Sequence, residues 1–166
     1  MGAGILPVAY HKGNWYFLFA RESVENMQLK YYKKHQGLWS DFGGSKEKNE
    51  THYQTAVREG FEESNGILGN EKNIRNLIKN YCVTTVGDKG WTTYIIKVKY
   101  NKKIIKLFQD NFKKVLKETP EIVKKKNGLY EKDKLRWIKL QDLKKNMGIF
   151  RPWFKKFVKQ ILHQFE

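Results

Sequence analysis

Residues 43–66 read GGSKEKNETHYQTAVREGFEESNG, and the spacing of the acids in this stretch decides how the rest of the chain is read. A glycine pair and a short polar connection lead into a helical stretch predicted from about Asn49 to Ser64. Asn49 is expected as the N-cap, Glu50 in the first turn suits the helix dipole, and Asn65-Gly66 can supply a left-handed C-terminal cap. Glu59, Glu62 and Glu63 then stand at i, i+3 and i+4 and share one face within roughly 100° of arc. Like charges so placed repel by about 0.2–0.5 kcal/mol per pair, and burying them costs far more. A bound divalent cation reverses that sign. Two or three carboxylates, with substrate phosphates and water, make the hard-oxygen octahedron that Mg²⁺ takes.

Gly44, five residues, Glu50, seven residues, Arg58-Glu59, two residues and Glu62-Glu63 together give G-x5-E-x7-R-E-x-x-E-E. This resembles the Nudix box of the Nudix hydrolases, six fixed residues in the strand-loop-helix setting that the motif requires. Trp137 to Leu143 is similar to the closing strand and turn of that family, so the resemblance spans most of the chain, from about Gly2 to the last helix. It implies an α+β, Nudix-like α/β/α sandwich whose mixed sheet carries the box helix on one side. It also implies hydrolysis of a nucleoside diphosphate linked to another moiety, with Mg²⁺ or Mn²⁺ as cofactor. Carried over position by position, Glu62 and Glu63 are the main metal ligands, and Glu59 is a further ligand or the group that orients the attacking water. Gly43 offers a backbone carbonyl to the metal, Arg58 holds the carboxylates, and Glu50 is structural. The family often draws one more acid from outside the box, for which Glu131 is the first candidate and Asp133 the second. Two departures are visible. Gly60 replaces an apolar residue, which weakens the helix by about 1 kcal/mol relative to Ala or lets it approach the sheet closely. Asn65 stands where the family has glycine, and Asn tolerates left-handed geometry.

Outward from the box, Ala3 to His11 and Trp15 to Ala20 flank the turn Lys12-Gly13-Asn14 and read as a β-hairpin. A polar, basic-aromatic loop runs from Ser23 to Gly37, and Leu38 to Phe42 reads as a short strand. After the box, Tyr81 to Val86 and Trp91 to Tyr100 form a second predicted hairpin about Gly87 to Gly90. Ile104 to Lys117 has helical spacing, and Pro120 is expected to stop it. Leu135 to Leu140 is a strand, and Arg151 to Phe165 a last helix opened by Pro152. Strands, helix, strands, helix, strand and helix in that order predict helices packed on a mixed sheet. The apolar stripe Trp153, Phe154, Phe157, Val158, Ile161, Leu162 and Phe165 makes the last helix the one that covers the sheet. Its basic amphipathic character would also suit a membrane surface.

The chain has 166 residues, 40% apolar and 14% aromatic, enough for one globular domain over 1–166 and against global disorder. Its formal charge is +16, a field that draws polyanions. The charge is uneven: residues 1–83 carry 11 basic and 9 acidic side chains, and residues 84–166 carry 22 and 8. Lys outnumbers Arg 28 to 5, a bias that A/T-rich coding also writes. The partner is expected to be anionic and phosphate-rich, and the best-matching reading is the 5′ end of RNA, that is, decapping. Tyr31, Tyr32, Lys33 and Lys34 in the long loop, with Lys124, Lys125 and Lys126 further on, are candidate substrate contacts, and Lys132, Lys134, Lys144 and Lys145 extend the latter into a phosphate-attracting rim or a solvated face. The small, Lys- and Asn-rich chain is similar in character to Nudix proteins of large DNA viruses, some of which remove caps, and such an origin would place it in a host cytoplasm. Alternatives are a small-molecule hydrolase for nucleoside triphosphates, dinucleoside polyphosphates, nucleotide sugars or diphosphoinositol polyphosphates, and an RNA-binding Nudix-fold protein without turnover. Cys82 has no partner for a disulfide, no targeting signal is read, and no stretch approaches the ~20 apolar residues of a membrane span. A reducing, cytoplasmic location is expected.

Overall fold

The computed structural model describes residues 1–25, 34–124 and 128–166. Strand β1 (Gly2–His11) lies at the centre, and its first eight residues are buried. It is covered on both faces, and so reads as a nearly continuous apolar run rather than a strict alternation. It pairs antiparallel with β2 (Asn14–Glu22) and β4 (Phe42–Ser45), and parallel with β6 (Trp91–Lys97). β5 (Cys82–Asp88) pairs antiparallel with β6, β7 (Lys132–Lys139) with β2, and the two-residue β3 (Trp39–Ser40) with β2. The sheet is therefore mixed, in the order β3-β2-β1-β6-β5 with β4 and β7 attached to β1 and β2.

Two apolar clusters lie on opposite faces of this sheet. On one, Ala3, Ile5, Leu18, Ala20 and Phe42 meet Ala56 and Val57 of α1 (His52–Glu63), Ile74 and Ile78 of α2 (Glu71–Tyr81), and Phe108 of α3 (Lys103–Glu118). On the other, Leu6, Val8, Phe17, Phe19 and Ile95 meet Phe157, Val158 and Ile161 of α6 (Lys155–Phe165). The α/β/α sandwich and the covering role of the last helix are as the sequence predicts. Short helices α4 (Pro120–Lys124) and α5 (Leu140–Leu143) join the larger elements.

Several boundaries differ from the expectation. The N-cap of α1 is Thr51, not Asn49: Thr51 accepts from the Gln54 N–H, while the Gln54 side chain accepts from the Thr51 N–H. This reciprocal box satisfies two orphan donors, and Asn49 instead takes a left-handed φ of 67° in the approach. Helix α2 has no counterpart in the sequence reading, although Ile74, Leu77 and Ile78 follow its period and Asn70–Asn73 make a second capping box. The expected single strand at 38–42 is two pieces, with the glycine pair inside β4. Pro120 opens α4 as well as following α3. The last helix starts at Lys155, with Pro152 in the preceding turn. Asn65 and Gly66 both have left-handed φ, 51° and 72°, and the Gly66 N–H donates to the Phe61 carbonyl to close α1.

Gly60 faces the sheet. A Cβ there would come within 2.8 Å of Ile5 Cδ1, so its place is one of close helix–sheet approach rather than of flexibility. That approach sets how deeply the carboxylates of α1 sit beside the end of β4.

Candidate active site

A cavity of about 750 Å³ opens where β4, α1, the end of β2 and the segment before β7 meet. One wall is acidic: Glu59, Glu62 and Glu63 from α1, Glu22 from β2 and Glu131 just before β7 all line it. Gly43 and Gly44 line its floor. Successive strand residues face opposite sides, and a Cβ on Gly44 would overlap the Glu59 carboxylate. Glycine at 44 is what lets the Glu59 carboxylate lie against the strand.

Arg58 organises the acids. Its Nε and Nη2 donate to the two carboxylate oxygens of Glu50 at 2.7 and 3.0 Å, and its Nη1 donates to Glu59 at 2.7 Å and Glu62 at 3.2 Å. Its Nη2 also donates to the Ser45 carbonyl at 3.0 Å. Glu50 receives further bonds from Thr55 Oγ1 and the Glu47 N–H. The Arg58 hydrogen bonds hold Glu50 down to a pKa of about 2, and the same contacts raise that of Arg58.

The other acids move the opposite way. Burial lifts Glu59 to about 7 against the pull of Arg58, with Glu62 and Glu131 adding to the rise. Glu62 is raised by burial, and Glu63, 3% exposed, is raised well above the ordinary range by burial as well. Lys132 sits beneath them, fully buried. It donates to Glu22 at 3.0 Å and Ser40 at 3.2 Å, and its Nζ stands 3.2 Å from Glu63 Oε2. That approach has ion-pair distance without hydrogen-bond geometry, so Glu63 Oε2 accepts no hydrogen bond. Burial alone would lower the Lys132 pKa, but the charges of Glu22 and Glu63 prevail and raise it.

The donor set suits a hard divalent cation: several carboxylates, the backbone at Gly43, and a buried Glu63 oxygen with an unused lone pair. The side chains are turned toward Arg58 and Lys132. Among the described residues no group of three or more His, Cys, Asp or Glu is gathered closely enough to hold a metal ion as they stand. The intramolecular cations offset part of the carboxylate repulsion in its place.

Of the residues singled out in the sequence, Arg58, Glu59, Glu62, Glu63, Gly43 and Glu131 line this one cavity. Asp133 does not: Arg21 binds it through both oxygens at 2.7 and 2.8 Å, and the Val24 N–H donates to it. Lys34 and Lys124 are exposed and lie outside the cavity wall. Tyr31, Tyr32, Lys33, Lys125 and Lys126 lie outside the described residues. Glu22, Arg151 and Trp153 belong to the site or its foundation without a local signal for it; Trp91, open from sequence between core and pocket, lines the cavity, and Lys132, expected with the surface lysines of a phosphate-attracting rim, is instead fully buried beneath the acids. They reach it from separate strands and a turn that only the sheet brings together.

Solved structures share this fold. The structure superposes on the crystal structure of the Nudix hydrolase RenU from M. smegmatis with a TM-score of 0.52 and 16% identity, covering 99% of this chain and 84% of that one. It superposes on the C. elegans Ap4A hydrolase in a binary complex with a TM-score of 0.52 and 15% identity, covering 99% and 96%. The same enzyme in a further crystal structure gives 0.50 and 16%. The chain has the Nudix hydrolase fold. No family model and no curated protein matches its sequence. The Nudix fold here is thus carried by a divergent sequence that keeps the six fixed residues Gly44, Glu50, Arg58, Glu59, Glu62 and Glu63. Among the described residues no helix of this Nudix-fold chain is long and apolar enough to cross a membrane.

Proposed function

We propose that this chain is a divalent-cation-dependent pyrophosphohydrolase that cleaves a diphosphate linkage in a nucleotide-type substrate. The observation that carries the reading is the set of six glutamates around one cavity beside Gly43-Gly44, three of them from one face of α1. Burial has raised the proton affinity of Glu59, Glu62 and Glu63, and a bound divalent cation would offset the cost of keeping them ionised beyond what Arg58 and Lys132 supply. Glu59, Glu62 and Glu63 with the Gly43 carbonyl would hold Mg²⁺ or Mn²⁺. When bound, the ion supplies a lowered pKa for water and neutralises charge on the bridging and leaving oxygens of an in-line displacement. Arg58 holds Glu59 and Glu62 in place through the hydrogen bonds described above. Of the two acids considered outside the box, Glu131 lines the cavity and Asp133 does not, so Glu131 would be the additional acid of the site. Lys132 anchors the inner carboxylates.

Within that class, the 5′ end of capped RNA is the finer reading. It rests on the lysine-rich second half, whose Lys102, Lys103, Lys106, Lys113, Lys114 and Lys117 are exposed and could engage backbone phosphates outside the cavity. A dinucleoside polyphosphate, of the kind named for the C. elegans neighbour, is the small-molecule alternative.

A panel of capped RNA, free cap dinucleotide, dinucleoside polyphosphate, nucleotide sugar and diphosphoinositol phosphate, assayed with Mg²⁺ or Mn²⁺, tests both levels. The wild-type chain is expected to turn over at least one member, and Glu63→Gln to abolish that turnover while leaving substrate binding. Unchanged turnover in Glu63→Gln would remove the metal assignment. Capped RNA cleaved no better than the free dinucleotide would remove the RNA reading.

A further inference from the structure

The cavity has a second wall, and its chemistry is aromatic. Trp91, at the start of β6, and Trp153, in the turn before α6, both line it, half-buried, with ring centroids 4.5 Å apart and planes inclined at 53°. Arg151 lies over the Trp153 ring, its guanidinium carbon 5.1 Å from the centroid. The Trp91 ring is held from three sides. A Cβ on Gly2 would overlap it, and one on Gly43 would come within 2.8 Å of Cζ2. Its Nε1 donates to Thr93 Oγ1 at 3.0 Å, and Thr93 in turn donates to the buried Asp41 at 2.6 Å. A partly exposed indole fixed this way by two glycines and a buried carboxylate is placed, not merely packed.

The glycine pair links the two walls. Gly44 makes room for Glu59 on the α1 side, and Gly43 makes room for Trp91 on the opposite side. A diphosphate bound through a divalent cation on the carboxylates would therefore have the indoles as its neighbour within the same cavity of about 750 Å³. We infer that Trp91 and Trp153 form a stacking subsite for the planar base of the substrate nucleotide, and that Arg151 gives this subsite a preference for a neutral ring over a cationic one. The inference rests on the nucleotide reading above and names the part of the substrate that sits beside the cleaved linkage. Indole faces accept any base, and they would attract a positively charged ring most strongly. Arg151, its Nη1 3.7 Å from Glu22 Oε2, already occupies the cation position on the Trp153 face, so a cationic ring would have to compete with the guanidinium for it. In a capped RNA, the ring taken is then the neutral first base and not the methylated one.

Nucleoside monophosphates test this without any hydrolysis, because they contain no diphosphate linkage. Calorimetric titration of the full chain with GMP, 7-methyl-GMP and ribose 5-phosphate is carried out at mildly acidic pH, where the methylated ring is cationic. GMP is expected to bind about tenfold or more tighter than ribose 5-phosphate, and tighter than 7-methyl-GMP. Trp153→Ala should erase the advantage of GMP, Trp153→Phe should restore most of it, and ribose 5-phosphate should bind all three proteins alike. Arg151→Gln should narrow or invert the gap between GMP and 7-methyl-GMP. Unchanged GMP affinity in Trp153→Ala, an equal loss for ribose 5-phosphate, or a wild-type preference for 7-methyl-GMP would each overturn the inference. The readout is binding alone, so its failure is distinct from any failure of Glu63→Gln to stop turnover.

Discussion

Glu59 and Glu50 lie nine residues apart, share Arg58, and are shifted in opposite directions. Glu50 accepts two hydrogen bonds from the guanidinium and two more from Thr55 and the Glu47 N–H, whereas Glu59, 8% exposed, accepts one from the guanidinium and burial outweighs it. With a folded pKa of about 7 against an ordinary 4.5, Glu59 keeps a proton in the folded state that the unfolded chain has already released between those values. The metal-free protein should therefore lose stability as pH rises from about 4.5 to about 7, by up to about 3 kcal/mol from this group, and Glu63 acts in the same direction. Glu50 has the reverse sign: its contribution is present above about 4.5 and is lost as pH falls toward 2. Urea unfolding in a chelator at about pH 5 and about pH 8 checks the first claim, which a flat or rising profile would refute. Added Mg²⁺ should stabilise the protein more at the higher pH, because a cation binds the ionised carboxylates.

Helix α1 carries the box, and its position is fixed at both ends and along its length. The Thr51–Gln54 capping box starts it, Asn65 and Gly66 end it, and Gly60 brings it onto Ile5. Thr51→Ala should cost about 1 kcal/mol of folding stability. Asn49→Gly should fall within about 0.5 kcal/mol of wild type, since Asn49 makes no cap and its left-handed φ suits glycine. Denaturant midpoints of the two variants distinguish the observed cap from the expected one, and a larger loss at Asn49 would reverse the assignment. The period of the box helix and its C-terminal turn were legible from residue type alone. The start was not, because Asn49 and Thr51 are both good N-cap residues and local preference does not choose between them. Helix α2 escaped because its apolar face is short, Ile74, Leu77 and Ile78 among polar neighbours, and its stability comes from packing on the sheet.

At the scale of the molecule, Lys132 ties the layers together below the site. It stands on β7 and reaches Glu22 on β2, Ser40 on β3 and Glu63 on α1, with no exposure to solvent. Lys132→Met should cost about 3–5 kcal/mol, because it strands two buried carboxylates, and adding Glu22→Gln should recover part of that loss. A loss below about 1 kcal/mol in urea unfolding would show that the buried pair does not join the layers as described. This network bears on what was readable from the chain. The sequence by itself determined the box, its shared carboxylate face and the layered class of the fold, since each depends on spacings shorter than one element and on apolar period. It also displayed a lysine excess in the second half, but not which charged residues matter: among the described residues, the cation from that half that lines the cavity is Arg151, while Lys132 works unseen beneath it. Only the tertiary structure brought Glu22, Trp91, Lys132, Arg151 and Trp153 to the box, from positions up to 131 residues apart in the chain. The physical reason is that strand pairing and sheet packing, which no local pattern encodes, gather β2, β4 and β6 around β1 and β7 onto β2, and leave a polar cavity where their ends meet α1.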